Sequence, residues 1–531
     1  MVDVVDIWTG RTANALRQAL RMTHEGFAAK LGTSVRGVAK WSAEPDVVPV
    51  TELQRALDTM LSQSTEDTKS RFRMLHASGS PIATPGVSTS ASPEDLATDL
   101  KLDRDPATAD LLDWLDMRAG WSAGTTRLRV RATLNYRDEQ RSRAIARARA
   151  EVPRSEIAAT LACFYDVQGS DMITFSANVD GEGQADTSIV TRPEWLDLRL
   201  VLGVGDDQLQ LRSASPASRL PIDELVADAA VERIAYMVAI GTRFANRPLY
   251  QLRQLEVDNR RLSGEVALTD FTTYALTMDL LEHETLDAIV TAGNSTTLPL
   301  RSRLLPSLDV LKDIGSRLCV GGPLALFAAA RPGTRIRGGE PDYMLLVQQR
   351  SNHVINAAGR LAVIPKSFHE PLIDFSDDAQ LSATLERELE AELFGREDVD
   401  ATIGMHRHAE PFHLTRLSEP MRWLIDHTDP GQWRMECTGF GFNLVSGNFE
   451  FASLIVIDDE EWWNRYGGQV EANWETQGLR RYSSRDRSSL ANLVHDEAWS
   501  NEGLFAFAQG LNRLGETGGD RVKLPAITAE A

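Results

Sequence analysis

The spacing of apolar residues near the start of the chain predicts three short helices around a small core. Leu16 and Leu20 lie four positions apart, and Phe27 and Leu31 repeat that spacing. Trp41 follows at the end of a third short amphipathic segment. These apolar positions can meet only if the three helices pack against one another, so the pattern predicts an all-α domain.

Polar residues and glycines mark the ends of these helices. Thr23 can cap the second helix, Gly32 can supply the positive φ at which it ends, and Ser34 can cap the third. Gly26 stands where a Glu would complete a capping box with Thr23. Gly37 weakens the third helix by up to about 1 kcal/mol relative to Ala. The pattern therefore predicts that the second helix is frayed and the third helix weakened.

Small residues and prolines dominate positions 78–93, SGSPIATPGVSTSASP, which predicts a flexible linker because little apolar surface can be buried there. The predicted organisation is a helical domain at 1–77, the linker at 78–93 and a middle α+β region at 94–290. A second α/β domain at 291–515 and a tail at 516–531 complete it. A chain of 531 residues is also long for one hydrophobic core.

The remainder of the chain alternates helical and strand patterns. Helices are predicted at 107–117, at 137–165 with a break near Pro153, and at 222–244, 276–290, 307–318 and 381–394. Strands are predicted at 172–212, 318–330, 343–350 and 439–458, and the alternation in RLRVR at 127–131 favours an exposed strand. The mixed order predicts an α/β (α+β) body.

Composition points to a soluble protein of the cytoplasm. Hydrophobic residues make up 42% and charged residues 25%, and no apolar run is long enough to span a membrane. The first ten residues lack the pattern of a secretion signal. Cys163, Cys319 and Cys437 lie far apart, which suits reduced thiols and offers no zinc spacing.

Charge is distributed unevenly. The whole chain carries a formal charge of -20, which by itself argues against nucleic-acid binding. Residues 11–41 nevertheless contain six basic residues and one acid, a local charge of +5. This asymmetry fits a basic DNA-binding head on an acidic body.

The segment 12–49 resembles the XRE family, the Cro and repressor type of helix-turn-helix. The resemblance implies that the third helix enters the major groove of double-stranded DNA. Arg36 is the best candidate for contact with guanine, Lys40 is placed near phosphate, and His24 occupies the place of a phosphate-contacting Gln. The full set of expected DNA-binding residues is His24, Thr33, Ser34, Val35, Arg36, Gly37 and Lys40. The alternative is a helical bundle that makes only protein contacts.

A second basic run spans residues 127–154, which contain nine arginines and only three acids. It could form another nucleic-acid surface or a phosphate cradle. A helix face whose arginines pair with the acidic body is the favoured interpretation.

The helix predicted at 381–394 contains Arg387, Glu388 and Glu392, which resemble the end of a Nudix box. That box gathers carboxylates on one helix face to hold Mg²⁺ against a diphosphate. Ala379 and Ala391 occupy two of its carboxylate positions, and its glycine positions hold Ile373 and Phe394. The resemblance implies a Nudix-like mixed sheet, and the missing carboxylates disfavour catalysis. The order of elements and the segments 187–198 and 246–257 also resemble long actinobacterial regulators of the XRE type.

Three histidines, His406, His408 and His413, lie within eight residues together with Glu410. They could bind zinc or nickel if their loop folded back on itself. Exposed histidines in a loop are the more ordinary interpretation.

The sequence thus predicts a cytoplasmic, nucleoid-associated regulator of transcription that binds DNA as a homodimer. A small molecule of unknown identity would control it from the Nudix-like body, without a cofactor. One alternative is a DNA-tethered Nudix-type hydrolase in which Glu388 and Glu392 bind Mg²⁺ beside Arg387. Another is a scaffold protein that binds a partner through the body.

Overall fold

The computed structural model divides the chain into two compact units, residues 1–90 and 91–531. It describes residues 8–20, 22–34, 37–38, 40–41, 47–62, 64, 68–69, 72, 93–136, 139–167, 170–181, 183–203, 207–212, 222–242, 244–292, 297–334, 339–372, 374–394, 417–427, 431–473 and 475–530.

In the first unit, every described residue that has regular secondary structure is helical. Its helices are α1 (Gly10–Ala19), α2 (His24–Leu31) and α3 (Thr51–Ser62), and residues 37, 38, 40 and 41 are also helical. Leu16, Phe27 and Val38 are buried together with Trp8, whose ring also contacts Phe72 at 5.6 Å between centroids. Apolar residues at helical spacing therefore form the core that the sequence pattern predicts.

The second unit begins with five consecutive helices, and its last helix is one of its two longest. Its helices are α4 (Pro93–Leu102), α5 (Pro106–Ala119), α6 (Thr125–Tyr136), α7 (Glu139–Ala150), α8 (Arg154–Phe164), α9 (Glu224–Ile240), α10 (Phe271–Ala275), α11 (Leu280–Ala292), α12 (Pro299–Leu304), α13 (Leu308–Lys312), α14 (Leu381–Leu393), α15 (Glu419–Asp426), α16 (Glu460–Tyr466), α17 (Arg487–Val494) and α18 (Asn501–Thr517). No helix among the described residues is both long and apolar enough to cross a membrane.

The strands of this unit form two sheets. They are β1 (Ile173–Val179), β2 (Gln184–Thr191), β3 (Leu200–Val201), β4 (Asp207–Leu211), β5 (Pro248–Asp258), β6 (Arg261–Asp270), β7 (Gly321–Arg331), β8 (Asp342–Arg350), β9 (Leu361–Val363), β10 (Trp433–Asn443), β11 (Phe449–Ile457), β12 (Thr476–Ser483) and β13 (Ile527–Glu530). The larger sheet has the order β12-β8-β7-β11-β10-β2-β1-β13, and β4, β6 and β5 form the smaller one. The unit is therefore a mixed α/β body.

The larger sheet is mixed in direction. β7 and β11 run parallel, with Phe449 opposite Gly321, and the other described neighbours are antiparallel. A parallel pair needs a long connection, and here that connection contains β8, β9, α14 and β10. The sheet also runs across the boundary predicted at residue 290, because β1 and β2 pair with strands from the later region. The final residues, predicted as a tail, supply its edge strand β13.

Helices cover both faces of this sheet. On β7, Phe327 belongs to the core that contains Leu385 and Leu389 of α14, whereas Leu326 belongs to the core that contains Phe505 of α18. Strands that are buried on both faces carry nearly continuous apolar runs, and β7 has that composition. The layers are thus helix, sheet, helix, with α14 and α18 on opposite faces.

Several boundaries differ from the prediction. The RLRVR segment lies in α6 rather than in a strand, because Arg127 and Arg131, one turn apart, both face acids of α4. The helix predicted at 307–318 ends at Lys312, and the one predicted at 276–290 begins only at Leu280. The predicted break near Pro153 is confirmed, since α7 ends at Ala150 and α8 begins at Arg154.

Candidate functional sites

Two hydroxyl groups cap the helical turns on either side of Gly32 in the first unit. Thr23 Oγ1 accepts a hydrogen bond from the amide of Gly26 at 3.0 Å, at the start of α2. Ser34 Oγ accepts from the amide of Gly37 at 3.1 Å. Between them, Gly32 has a φ of 69°, the left-handed conformation that glycine adopts without strain. The turn between α2 and the following helical residues therefore has the capping chemistry predicted from the sequence.

The predicted DNA-binding residues lie around this turn. Ser34 and Lys40 are exposed, and Thr33 and Gly37 are partly buried. His24 is the first residue of α2. The remaining two candidates, Val35 and Arg36, lie outside the described residues.

In α14, Arg387 ties the helix to the strand-to-helix loop before it. Its Nε donates to Glu388 at 3.0 Å, and its Nη1 donates to the carbonyl oxygen of Glu370 at 2.8 Å. Glu388 therefore already pairs with a cation from its own helix. This pairing reduces the negative charge that Glu388 could offer to a metal ion.

Glu392 lies one turn further along and is 1% exposed. Its carboxyl group accepts weakly from the amide of Lys366 at 3.4 Å and from Gln348 Nε2 at 3.5 Å. Burial, reinforced by the neighbouring carboxyl groups of Glu475 and Glu388, raises the pKa of Glu392 well above its usual value. The raised pKa favours the protonated form of Glu392 over the ionised one.

The α14 side chains do not fit a Mg²⁺ ion, which requires ionised oxygen ligands and open coordination positions. Glu392 is buried with a raised pKa, Glu388 is paired with Arg387, and Ala391 offers no ligand. Over the described part of the chain, no group of three or more His, Cys, Asp or Glu side chains has a metal-binding arrangement. The three candidate zinc or nickel ligands, His406, His408 and His413, all lie outside that part.

The basic run of residues 127–154 is largely engaged with acids of the same unit. Pairs in this run include Arg127 with Asp103 at 2.6 Å and Arg129 with Asp228 at 2.7 Å. Arg149, treated below, pairs with an acid of α11. These contacts favour a helix face paired with the acidic body over a second nucleic-acid surface, because phosphate would have to compete with acids that already neutralise these guanidinium groups.

A buried ionic group lies between the sheet and the first turn of α18. Lys366 Nζ is 2.6 Å from Glu502 Oε1 and 3.0 Å from Asn356 Oδ1. Asn443 Nδ2 donates to the other oxygen of Glu502 at 3.0 Å. Burial, together with the negative charge of Glu502, raises the pKa of the neighbouring Glu450 well above its usual value. Lys366 and Glu502 form a buried ion pair, and each of them also has an asparagine side chain as a hydrogen-bond partner.

A cavity of about 30 Å³ adjoins this pair, enough space for a water molecule. Glu282 of α11 lines it, and its Oε2 is buried without a hydrogen-bond partner among the described residues. Burial, with Asp279 and Glu502 adding repulsion, raises the pKa of Glu282 to about 7.

A much larger cavity, of about 470 Å³, lies among α7, α9, α11 and α12. That volume falls within the range of small-molecule sites. Its apolar lining comes from residues on all four helices, namely Ile145, Ala229, Leu280, Ala288, Pro299 and Leu300. Its polar lining includes two arginines, a tyrosine and a histidine, namely Arg149, Arg233, Tyr236 and His283.

Arg149 is the central polar group of this cavity. Its guanidinium donates from Nε and Nη2 to the two oxygens of Asp287 at 2.8 and 2.7 Å, and it lies 4.8 Å from the ring centre of Tyr236. Its Nη1 also contacts His283 Nδ1 at 2.5 Å. Because arginine only donates, Nδ1 must accept, and the proton of the neutral imidazole then resides on Nε2. Burial lowers the pKa of His283 well below its usual value, with Arg233 and Arg149 adding to the effect.

Arg233 approaches the same cavity from α9. It is 4% exposed, and its Nη2 is 2.6 Å from Asp279 Oδ2 and 3.1 Å from the carbonyl oxygen of Ile355. Its Nε has no hydrogen-bond partner among the described residues. A buried donor of this kind costs free energy unless another group satisfies it.

Sequence patterns did not indicate the Lys366–Glu502 pair or the Arg149 cavity. The partners of the ion pair are 136 positions apart, and those of Arg149 and Asp287 are 138 apart. The one local signal was the density of arginines in residues 127–154, which includes Arg149.

Neither known protein families nor curated proteins identify the chain. No family model matches it. No curated protein matches it either. The functional argument therefore depends on the residues and their geometry.

Proposed function

We propose that the chain is a DNA-binding regulator of transcription that a small molecule controls. The observation that carries this proposal is the capped turn of the first unit, with Thr23 before α2, Gly32 at its end and Ser34 before the next helical residues. These are the caps and the glycine turn that the resemblance to the XRE family leads one to expect between its second and third helices. The local charge of +5 supports the same function, since phosphate neutralisation drives DNA binding.

In this proposal the residues after Ser34 face the base edges, with Arg36 as the guanine contact and Lys40 close to phosphate. Thr33, Val35, Gly37 and His24 complete the DNA-binding surface. A single small head with Gly26 and Gly37 in its helices binds weakly, so two heads of a homodimer would bind one palindromic site. Because both heads belong to one dimer, they would bind the two half-sites of the DNA at the same time.

The body is proposed to have the Nudix-like sandwich in a binding role. The parallel β7–β11 pair, α14 in the connection between them, and α18 on the opposite face support this proposal. The environments of Glu388 and Glu392 do not favour the alternative, a Mg²⁺-dependent hydrolase. A fold that has lost metal ligands can still bind a molecule and shift between two states.

DNA binding is tested with the full chain and a random library of duplexes, followed by fluorescence anisotropy on the selected site. Lys40→Ala should weaken binding to every duplex and reduce the slope of log K against log salt by about one. Lys101→Ala, an exposed lysine of α4, is the matched control and should change neither quantity. Arg36→Ala should instead relax selectivity at one base pair, with a cost of about 1–3 kcal/mol.

Two results would contradict the proposal. One is a wild-type chain that selects no duplex from the library. The other is a salt slope that stays unchanged when Arg36→Ala and Lys40→Ala are combined.

A further inference from the structure

Arg149 holds its guanidinium in the geometry that binds a carboxylate. Two of its nitrogens face the two oxygens of Asp287 side by side, which is the bidentate arrangement that makes arginine selective for planar anions. The contacts with His283 and Tyr236 fix the guanidinium in place. The side chain of Arg149 is 12% exposed, so its position hardly depends on solvent.

Asp287, in contrast, is half exposed. A carboxylate on a helix surface can turn into water at little cost, whereas Arg149 cannot leave its site. Asp287 therefore occupies a preformed anion site that another carboxylate could take. The cavity beside this site has space for the rest of a ligand.

The chemical character of the cavity lining determines which ligand fits it. Ile145, Leu280 and Leu300 provide an apolar surface, and the ring of Tyr236 provides an aromatic one. Arg233 also lines the cavity, and its Nε has no hydrogen-bond partner among the described residues. An apolar or aromatic body of a few carbon atoms with one polar end fits this combination.

Charge restricts the polar end to a single negative charge. Glu232 and Glu284 line the same cavity as Arg149 and Arg233. Glu284 accepts from the amides of Leu300 and Arg301 at 2.6 and 2.9 Å, which holds its carboxyl group at the start of α12. With Asp287, the lining has three acids and two arginines, so a doubly charged phosphate would meet more repulsion than a singly charged carboxylate, and a carboxylate is the better match.

From this geometry we infer that the cavity among α7, α9, α11 and α12 is a binding site for a small monocarboxylic acid. The carboxylate of the ligand takes the place of Asp287 on Arg149, and its apolar body fills the cavity. The inference deepens the proposed function, on which it rests for its regulatory meaning, by placing the controlling ligand in the helical part of the body rather than beside α14.

The site is connected to the sheet. The carbonyl oxygen of Arg149 accepts a hydrogen bond from Arg360 Nη2 at 3.2 Å, and Arg360 lines the smaller cavity together with Glu282 and Glu502. Exchange of Asp287 for a ligand would therefore take place on a residue whose carbonyl group is hydrogen-bonded to the lining of the smaller cavity.

Isothermal titration of the full chain with benzoate and with hexanoate tests the inference, and benzamide serves as the neutral match for benzoate. Wild-type protein should bind both acids saturably at concentrations up to about 10 mM, a range suited to ligands of this size. Benzamide should bind at least about tenfold more weakly, because it cannot form the charge-assisted pair.

Two variants give opposite expected results. Arg149→Gln should weaken benzoate binding by about tenfold or more, since the anchor is lost. Asp287→Asn should tighten it several-fold, because the internal competitor no longer carries a charge. Asp309→Asn is the control, an acid of α13 that is 92% exposed and should leave affinity unchanged. If Asp287 had only a structural role, the Asp287→Asn substitution would not tighten benzoate binding.

Several outcomes would overturn the inference. They are the absence of saturable binding of both acids, equal binding of benzoate and benzamide, unchanged affinity in Arg149→Gln, weaker binding in Asp287→Asn, or tighter binding of phenyl phosphate than of benzoate. Anisotropy with duplex DNA separates this test from that of the proposed function. A chain that binds DNA but no carboxylate refutes the ligand site alone, whereas a chain that binds carboxylate but no DNA refutes the DNA-binding function alone.

Discussion

Replacing Lys366 with Met tests whether the ion pair beneath α18 stabilises the body. The side chains of Lys366 and Glu502 are 10% and 5% exposed, so removing the ammonium leaves a carboxylate in the interior. Breaking such a pair from one side costs about 3–5 kcal/mol. Glu502 keeps its hydrogen bond from Asn443 at 3.0 Å, which places the expected loss near the lower limit, about 3 kcal/mol.

The loss should depend on pH in a definite direction. Lys366 holds the pKa of Glu502 below its usual value despite burial. In the wild type this pairing stabilises the fold above the unfolded pKa of Glu502, and the stabilisation is lost as the pH falls through the folded pKa. In Lys366→Met the carboxyl group is buried without its cation, so its pKa should rise. The variant should therefore be most destabilised near pH 7 and less so near pH 5.

Urea unfolding monitored by tryptophan fluorescence measures the effect, since Trp499 is fully buried and lines the adjoining cavity. Lys366→Met combined with Glu502→Gln should recover part of the loss, because no buried charge remains. Arg465→Met is the control: its ion pair with Glu461 is exposed, and such pairs contribute about 0–1 kcal/mol. A loss below about 1 kcal/mol in Lys366→Met, or a double variant no more stable than the single one, would refute the reasoning.

Two other predictions concern packing and titration. Gly510→Ala should destabilise the body by about 1–3 kcal/mol in urea unfolding, because its Cβ would lie 2.7 Å from Leu326 Cβ. Gly515→Ala on the same helix, with its nearest neighbour at 3.7 Å, should be neutral or stabilising, and equal effects would contradict this account. Burial raises the pKa of Asp207 to about 6, so its contribution to stability is present below the unfolded pKa and is lost as the pH rises through about 6. Asp207→Asn should thus gain about 2–3 kcal/mol relative to wild type between pH 4 and pH 7, and a pH-independent difference would contradict it.

Local patterns predicted the elements whose conformation depends on local chemistry. The continuous apolar run of β7 indicated a buried strand, and Pro153 indicated the break between α7 and α8. The alternation in RLRVR was misleading, because arginines on a helix face can be as regularly spaced as those on a strand. Their partners, including Asp99 in α4 and Asp103 just after it, are more than twenty positions away, and only the fold brings them together.

The same limit applies to the candidate sites. Comparison of α14 with the Nudix box shows from the sequence alone that Ala391 offers no metal ligand. It does not show that Glu392 is buried with a raised pKa. That state depends on burial beneath the sheet and on Glu475, which is brought close by the chain that follows β11. Likewise, no spacing rule links Arg149 to Asp287, since each is an ordinary charged residue on its own helix.

The two sets of charged residues in the body therefore suit different tasks. On α14, Glu388 is paired with Arg387 and Glu392 is buried with a raised pKa, so neither is well placed to hold a metal. In the cavity, by contrast, Arg149 is fixed and buried while its partner Asp287 is half exposed. A pair with one fixed and one releasable partner can exchange that partner for a ligand, and exchange is what a regulator requires. Control by binding at Arg149 is thus physically better founded than control by catalysis at Glu388 and Glu392.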